Sequence, residues 1–184
     1  MASSGTGISA PPATHRAVVI EAGDEVRVRD DVKLPTLEKG RFLVRTDAVA
    51  VNPSDTKMRG GFAVHGGVLG TDYAGTVVAR GPEVTDVAIG DRVCGAQHAM
   101  NANTPLRGSF GEYNISAGKV WLKLPDHIST EGGATFGAGI STAGLALKLL
   151  GLPLPDAPVE KPAHILVYGG STATATIAMQ LLRQ

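Results

Sequence analysis

The sequence predicts a mixed β and α/β chain: a small β-barrel or rolled sheet that gives way to the opening of an α/β unit. Three observations carry this. Between Arg16 and Trp121, short apolar runs alternate with turn residues, and no helix of ordinary length fits before residue 128. Beyond that point the apolar spacing lengthens toward the helical period. Near the C-terminus a short continuous apolar run, a turn of small residues and a second helical stretch follow one another. With 184 residues the chain has room for one good domain and part of another.

Taken in order, residues 1–15 ("MASSGTGISAPPATH") are small, polar and Pro-containing. They lack a basic stretch followed by an apolar one, so they read as a frayed tail and not as a signal peptide. Strands are expected at Ala17–Ile20, Arg41–Val51, Thr76–Ala79, Arg92–Cys94, Glu112–Ile115 and Val120–Leu124. Within Arg41–Val51 the pattern suggests a strand half exposed at its start and buried at its end. Gly23-Asp24, Gly60-Gly61, Gly66-Gly67, Gly81-Pro82 and Gly90-Asp91 mark turns. The whole forms a rolled sheet of roughly 120 residues.

The period then changes. Ser129 or Thr130 can cap a short helix, with Glu131 in its first turn, where an acid suits the helix dipole. Ser141 or Thr142 can cap another. Leu145 and Leu149 stand four apart on it beside Ala146 and Leu150, and Gly151 and Pro153 end it. The Pro-rich segment 151–163 is the expected linker between a domain spanning 16–150 and a second one beginning at 164. His164–Tyr168 reads as a strand buried on both faces, and Ala175–Leu182 as a helix. Strand, small-residue turn and helix together open a nucleotide-binding βαβ unit, whose second strand does not follow before Gln184.

Composition excludes several classes. Seventeen basic residues balance seventeen acidic ones, so no global field draws the chain to nucleic acid or to an anionic membrane. No run approaches the roughly 18 apolar residues of a membrane span, and the cytosol is the default location. Cys94 is the only cysteine, which excludes an intrachain disulfide and a zinc site built from several cysteines. The five histidines show no i, i+4 pair, so a metal site has little support.

The turn Gly169–Thr174 offers small residues and a following helix N-terminus, which together suit a pyrophosphate. It matches G-x-G-x-x-G poorly, since only Gly169 is in place. A tight β–α connection explains such a turn as well as phosphate binding does. Lys57 reads either as a solvated lysine or as a cation near a cofactor phosphate or a substrate carbonyl. Asn52 and Asp55 read as turn formers, and Tyr73 as core.

Taken together, the motifs carry more than their spacing. Val51-Asn-Pro-x-Asp55, Gly70-x-Asp-x-x-Gly75, Val87-x-x-Gly-Asp-Arg-Val93, Gly108-Ser-Phe-Gly-Glu-Tyr113 and the strand–turn–helix at 164–182 follow the order of the medium-chain dehydrogenase/reductase superfamily. The resemblance covers residues 16–184. "GAGISTAGLALKLLGLPLP" and "VYGGSTATATIAMQLLR" narrow it. They resemble the stand-alone, trans-acting enoyl reductases serving fungal highly reducing polyketide synthases and polyketide–peptide hybrids, the lovastatin and aspyridone type.

The resemblance implies a GroES-like barrel followed by part of a Rossmann cofactor domain. In zinc-dependent members a cysteine stands at the position of Asn52, and Gly-His-Glu at Gly70-Thr71-Asp72, so the resemblance implies a zinc-free branch. It also implies that Ser54, Asp55, Thr56 and Lys57 face NADPH and the reacting end of the substrate, and that Ser171, Thr172, Ala173 and Thr174 hold cofactor phosphate. Thr142 and the helix Ala143, Gly144, Leu145, Ala146, Leu147, Lys148, Leu149 and Leu150 would line the acyl channel. Many relatives carry a tyrosine shortly after the "NPxD" turn. Here the local aromatic is Phe62, which leaves Lys57 or solvent as the proton source.

Three readings of function follow. One is an NADPH-dependent enoyl reductase acting on an α,β-unsaturated thioester, held by the acyl carrier domain of a partner polyketide synthase or hybrid synthase. Another is an inactive, truncated relative or docking module. The third is a zinc-free quinone reductase. One strand and one helix cannot cover a sheet edge, so the sequence is expected to hold only part of a cofactor domain.

Overall fold

The computed structural model describes residues 11–116, 118–152, 161 and 164–183. Of the expected linker 151–163, only Gly151, Leu152 and Lys161 fall among these residues.

Among the described residues the strands form two sheets. Strands β1 (Thr14–Ile20) and β2 (Val26–Lys33) form an antiparallel ribbon. Strands β3 (Phe42–Ala50), β4 (Asp72–Arg80), β5 (Arg92–Ala96), β6 (Tyr113–Ile115) and β7 (Trp121–Lys123) form a sheet in the order β6-β3-β4-β5-β7. Single bridges from Ala17 to Gly111 and from Val19 to Val68 tie the ribbon to the segments around the larger sheet. The main core lies under β3, β4 and β5. Phe42, Val44, Tyr73, Val77, Val84, Val87 and Val93 pack together there, and Trp121 meets Phe42 edge-on at 5.0 Å. Each large apolar side chain buried there contributes about 1.5–3 kcal/mol. A smaller cluster of Ala17, Val19, Val32 and Val68 fills the space under the ribbon.

Several expectations change. The tail ends earlier than residue 15: Thr14 and His15 belong to β1, and His15 is buried. Strand β2 has no counterpart among the expected strands. Its residues VRVRDDVK are charged on both faces and nearly all exposed. Ion pairs hold those charges outside, Arg27 with Glu21 and Glu25, Arg29 with Asp31 and Glu21, and Arg16 with Asp30. Strand β4 begins four residues before the expected Thr76.

The burial of β3 runs opposite to expectation. Phe42, Leu43 and Val44 are buried, whereas Val49 and Val51 are exposed. Pairing explains it. The first half lies between β4 and β6, with Leu43 opposite Ile115 and Arg45 opposite Tyr113. The chain at 110–112 then departs to bond β1, Val18 N–H donating to the Phe110 carbonyl at 2.7 Å. The second half of β3 keeps β4 as its strand partner, and a bulge interrupts even that register between Thr46 and Ala48.

Among the described residues, four α-helices follow the pattern in part. The "NPSDT" stretch is a short helix, α1 (Pro53–Lys57), with Pro at its first position. Helix α2 (Thr130–Ala134) is capped by Ser129, whose Oγ accepts from the Gly132 amide at 3.0 Å. Helix α3 (Gly137–Leu149) starts four residues before Ser141, so neither Ser141 nor Thr142 caps it. The Ser141 hydroxyl instead donates to the Gly137 carbonyl at 2.7 Å. Its end is a Schellman turn. Gly151 adopts φ 68°, its amide reaches the Lys148 carbonyl, and the Leu152 amide reaches that of Leu147.

The packed stripe of α3 is Gly139, Ala143 and Leu147, not Leu145 and Leu149, which are exposed. Gly139 decides this. A Cβ there would sit 2.4 Å from Ile177 Cδ1 on α4 (Ala173–Leu181). Helix α4 itself begins two residues before the expected Ala175. His164–Tyr168 forms no strand, with Leu166 and Tyr168 almost fully exposed. Among the described residues this segment has no strand to pair with, and an unpaired strand is not stable in water.

Candidate functional site

The "VNPSDTK" and "GTDYAG" stretches come together where β3 ends and β4 begins. Asn52 precedes α1 in an extended conformation, and the helix opens on a capping box. The Asn52 amide N–H donates to Asp55 Oδ2 at 2.7 Å. The other oxygen of Asp55 accepts from the Thr71 hydroxyl at 2.8 Å. The Asn52 side chain turns the other way and donates to Asp72 Oδ2 at 2.8 Å. The Ala138 amide, in the first turn of α3, donates to Asp72 Oδ1 at 2.5 Å.

Two buried carboxylates thus organise the site, and each receives two donors. Both are nearly inaccessible, Asp55 at 5% and Asp72 at 1%. Burial pushes the Asp72 carboxyl above the usual carboxylate range, and the nearby Asp55 adds to this. The bonds from Asn52 and Ala138 oppose it. Asn52 and Asp55, read from the sequence as ordinary turn formers, are the ends of this network. Asp72 stands in the sequence as the fixed acid of Gly70-x-Asp-x-x-Gly75, but sequence reasoning gave it no role. Its partners are 20 and 66 positions away, and no local spacing signals such pairs.

Most of the remaining candidates fall on exposed surface. Ser54, Thr56 and Lys57 are exposed on α1, and the Lys57 ammonium has no carboxylate partner among the described residues. On α3, Ala143 and Leu147 are buried and Gly144 is half-buried. Thr142, Leu145, Ala146, Lys148, Leu149 and Leu150 face outward. Tyr73 is core, with no accessible surface.

At the C-terminal turn, Thr172 is the N-cap of α4. Its Oγ1 accepts from the Ala175 amide at 3.2 Å and donates to the Gly169 carbonyl at 3.0 Å. Ser171, Thr172 and Ala173 are exposed, Thr174 is half-buried, and no acid lies in the first turn. The first amides of the helix have no acceptor inside it. An exposed helix start of this kind fits a phosphate. Among the described residues no hydrogen bond joins α1 to this turn.

Residues 38–126 match the alcohol dehydrogenase GroES-like domain. The chain is 52% identical over 179 residues to the enoyl reductase component of the lovastatin nonaketide synthase of Aspergillus terreus, covering 94% of this chain and 49% of that protein. It is 53% identical over 178 residues to a dehydrogenase of Monascus pilosus, with the same coverage. An alcohol dehydrogenase superfamily protein from Novosphingobium aromaticivorans superposes with a TM-score of 0.75 at 27% identity, over 92% of this chain and 50% of that one.

The chain belongs to the medium-chain dehydrogenase/reductase superfamily.

It spans about half the length of the curated relatives it matches. A mycobacterial protein of known structure in complex with NADPH superposes on this superfamily member with a TM-score of 0.65 at 28% identity, over 90% of this chain and 48% of that one.

Proposed function

We propose that this chain supplies the GroES-like domain and the start of the cofactor domain of a zinc-free, NADPH-dependent enoyl reductase. Its substrate is the α,β-unsaturated thioester of a growing polyketide, presented by the acyl carrier domain of a separate synthase. The observation that carries this reading is the 52% identity over 179 residues to the enoyl reductase component of a nonaketide synthase.

The donor set supports the zinc-free part. Asn52 and Thr71, at the positions where zinc-dependent members are expected to carry cysteine and histidine, are bonded to Asp72 and Asp55. An amide and a hydroxyl engaged in this way offer a zinc ion neither thiolate nor imidazole. Reduction of a conjugated C=C puts negative charge on the thioester oxygen, and a positioned hydrogen-bond donor can stabilise it.

NADPH would supply the hydride. Ser171, Thr172, Ala173 and Thr174 would hold a cofactor phosphate at the start of α4, and Ser54, Asp55, Thr56 and Lys57 would bound the reacting end. Asp55 would act there by holding the shape of α1, since both its oxygens are engaged. Lys57 would meet a phosphate or the thioester oxygen, or return a proton to the reduced carbon together with solvent. The outward face of α3, with Leu145, Leu149 and Leu150, would carry the acyl chain.

The test is NADPH titration by fluorescence, with reduction of an enoyl thioester followed by the loss of NADPH absorbance. Lys57→Ala should weaken binding or turnover by about 10- to 100-fold, the value of a charge-assisted hydrogen bond. The melting temperature should stay unchanged, because an exposed lysine contributes little packing. Unaltered kinetics return Lys57 to the solvated class. Turnover of a quinone without turnover of the thioester overturns the substrate assignment.

A further inference from the structure

Two elements carry most of the assignments above. Helix α1 bears Ser54–Lys57, and α3 bears Thr142–Leu150. They are distant in the chain, and useful chemistry needs the two in fixed register. We propose that Asp72 is a positioning residue that clamps α1 to the first turn of α3. This rests on the reading of those two faces given above.

The geometry supports the clamp at each joint. Asp72 is paired on both sides, opposite Ala50 of β3 and Ala96 of β5, at the start of the central strand of the sheet. Its backbone is therefore held by strand pairing on both sides. Its two oxygens then reach in different directions, Oδ2 to Asn52 at the start of α1 and Oδ1 to the Ala138 amide of α3. Helix α3 has no cap from its own flanking residue, Phe136. Asp72 supplies the missing acceptor, and its charge lies against the positive end of the helix dipole.

The choice of carboxylate is informative. A buried carboxylate is costly to desolvate, and no lysine or arginine among the described residues bonds to it. Serine at this position could cap α3 at less cost. Its single, shorter-reaching oxygen could not replace two carboxylate oxygens that each hold a different donor. An apolar residue would leave the Asn52 side chain and the Ala138 amide unpaired. With Asn52 as the donor opposite, only an acceptor with two oxygens on one rigid base joins the two elements.

The test is a polarity swap in the full 184-residue chain. Asp72→Asn keeps the shape but places an amide NH2 against one of the two donors. Asn52→Asp alone sets two carboxylates against each other. The double variant Asn52→Asp/Asp72→Asn reverses the pair: the amide donates to the new carboxylate and keeps its carbonyl oxygen for Ala138. Amide exchange across residues 138–142 should speed up by about tenfold in Asp72→Asn, the cost of one lost hydrogen bond, and recover in the double variant. NADPH affinity and the KM for an enoyl thioester should worsen and recover in parallel.

Unchanged exchange in Asp72→Asn overturns the clamp, and so does a double variant that shows no recovery. Faster exchange with unchanged affinity and KM makes Asp72 a helix cap only, which also overturns the positioning role. If Asp72→Asn does not fold, folding of the double variant is itself the recovery. If the unaltered chain binds no NADPH, the exchange comparison alone decides the clamp, and the affinity and KM comparison is made in a chain extended to the length of its relatives.

Discussion

His15 is a buried histidine at 3% exposure whose Nδ1 accepts from the Tyr113 amide at 3.2 Å. Its Nε2 therefore carries the proton, and it has no partner among the described residues. Burial lowers its pKa below the ordinary 6.5, while the neighbouring Glu112 pulls it back up to a lesser degree. The folded state thus binds fewer protons than the unfolded one between the lowered value and 6.5. Stability from this residue is complete above about pH 6.5 and declines as pH falls through that window. Denaturant midpoints at pH 7.5 and 5.5 measure the loss. His15→Gln keeps an acceptor for Tyr113 and should flatten the difference. A profile identical to the unaltered chain's would assign the titration elsewhere. At this scale the candidate site was only half legible. Lys57 could be named from its place after a Pro-containing turn, and it lies exposed at the end of α1. Asp72 and His15 act through partners brought in by the fold, at 66 and 98 positions' distance.

Among the elements, the contrast between Gly137 and Gly144 separates two uses of glycine on one helix. A Cβ at Gly137 would lie 2.2 Å from the Gly95 carbonyl oxygen, so α3 can reach β5 only without a side chain there. At Gly144 a Cβ would meet nothing within 4 Å. Gly137→Ala should therefore lower unfolding free energy by about 1–3 kcal/mol, the range for overpacking. Gly144→Ala should raise it by about 0.5–1 kcal/mol through helix propensity. Urea midpoints with a common slope decide both. Equal effects would mean that the α3–β5 approach gives way easily. Elements were legible in the sequence where their pattern was local. Ser129 announces α2, and Gly151 announces the end of α3. Strand β2 was not legible, because its exposed charges hide the alternation, with only Val32 buried. The start of α3 was not legible either, because its cap comes from β4.

In the whole molecule, order should fall off from the sheet toward the C-terminal residues. Strand β4 is central, paired with β3 and β5, and most of its residues are buried. Helix α4 buries only Ala175 and is held largely by the Gly139–Ile177 contact with α3. Leu166 and Tyr168 are 92% and 98% exposed. Amides at 73–79 should therefore exchange only on global unfolding, those at 175–181 through local opening, and those at 165–168 nearly as fast as in an unfolded chain. NADPH should alter this gradient at one place. A phosphate bound at the start of α4 accepts from the amides of Ala173 and Thr174, which have no acceptor among the described residues, whereas those of Ala175 and Thr176 are bonded to Thr172. Exchange at 173 and 174 should slow in proportion to occupancy, while 73–79 stay unchanged. Protection confined to 54–59 instead would move the phosphate contact to α1 and Lys57. No protection at saturating NADPH in either segment would show that this turn is only a tight β–α connection, and the cofactor assignment of Ser171–Thr174 would fall with it.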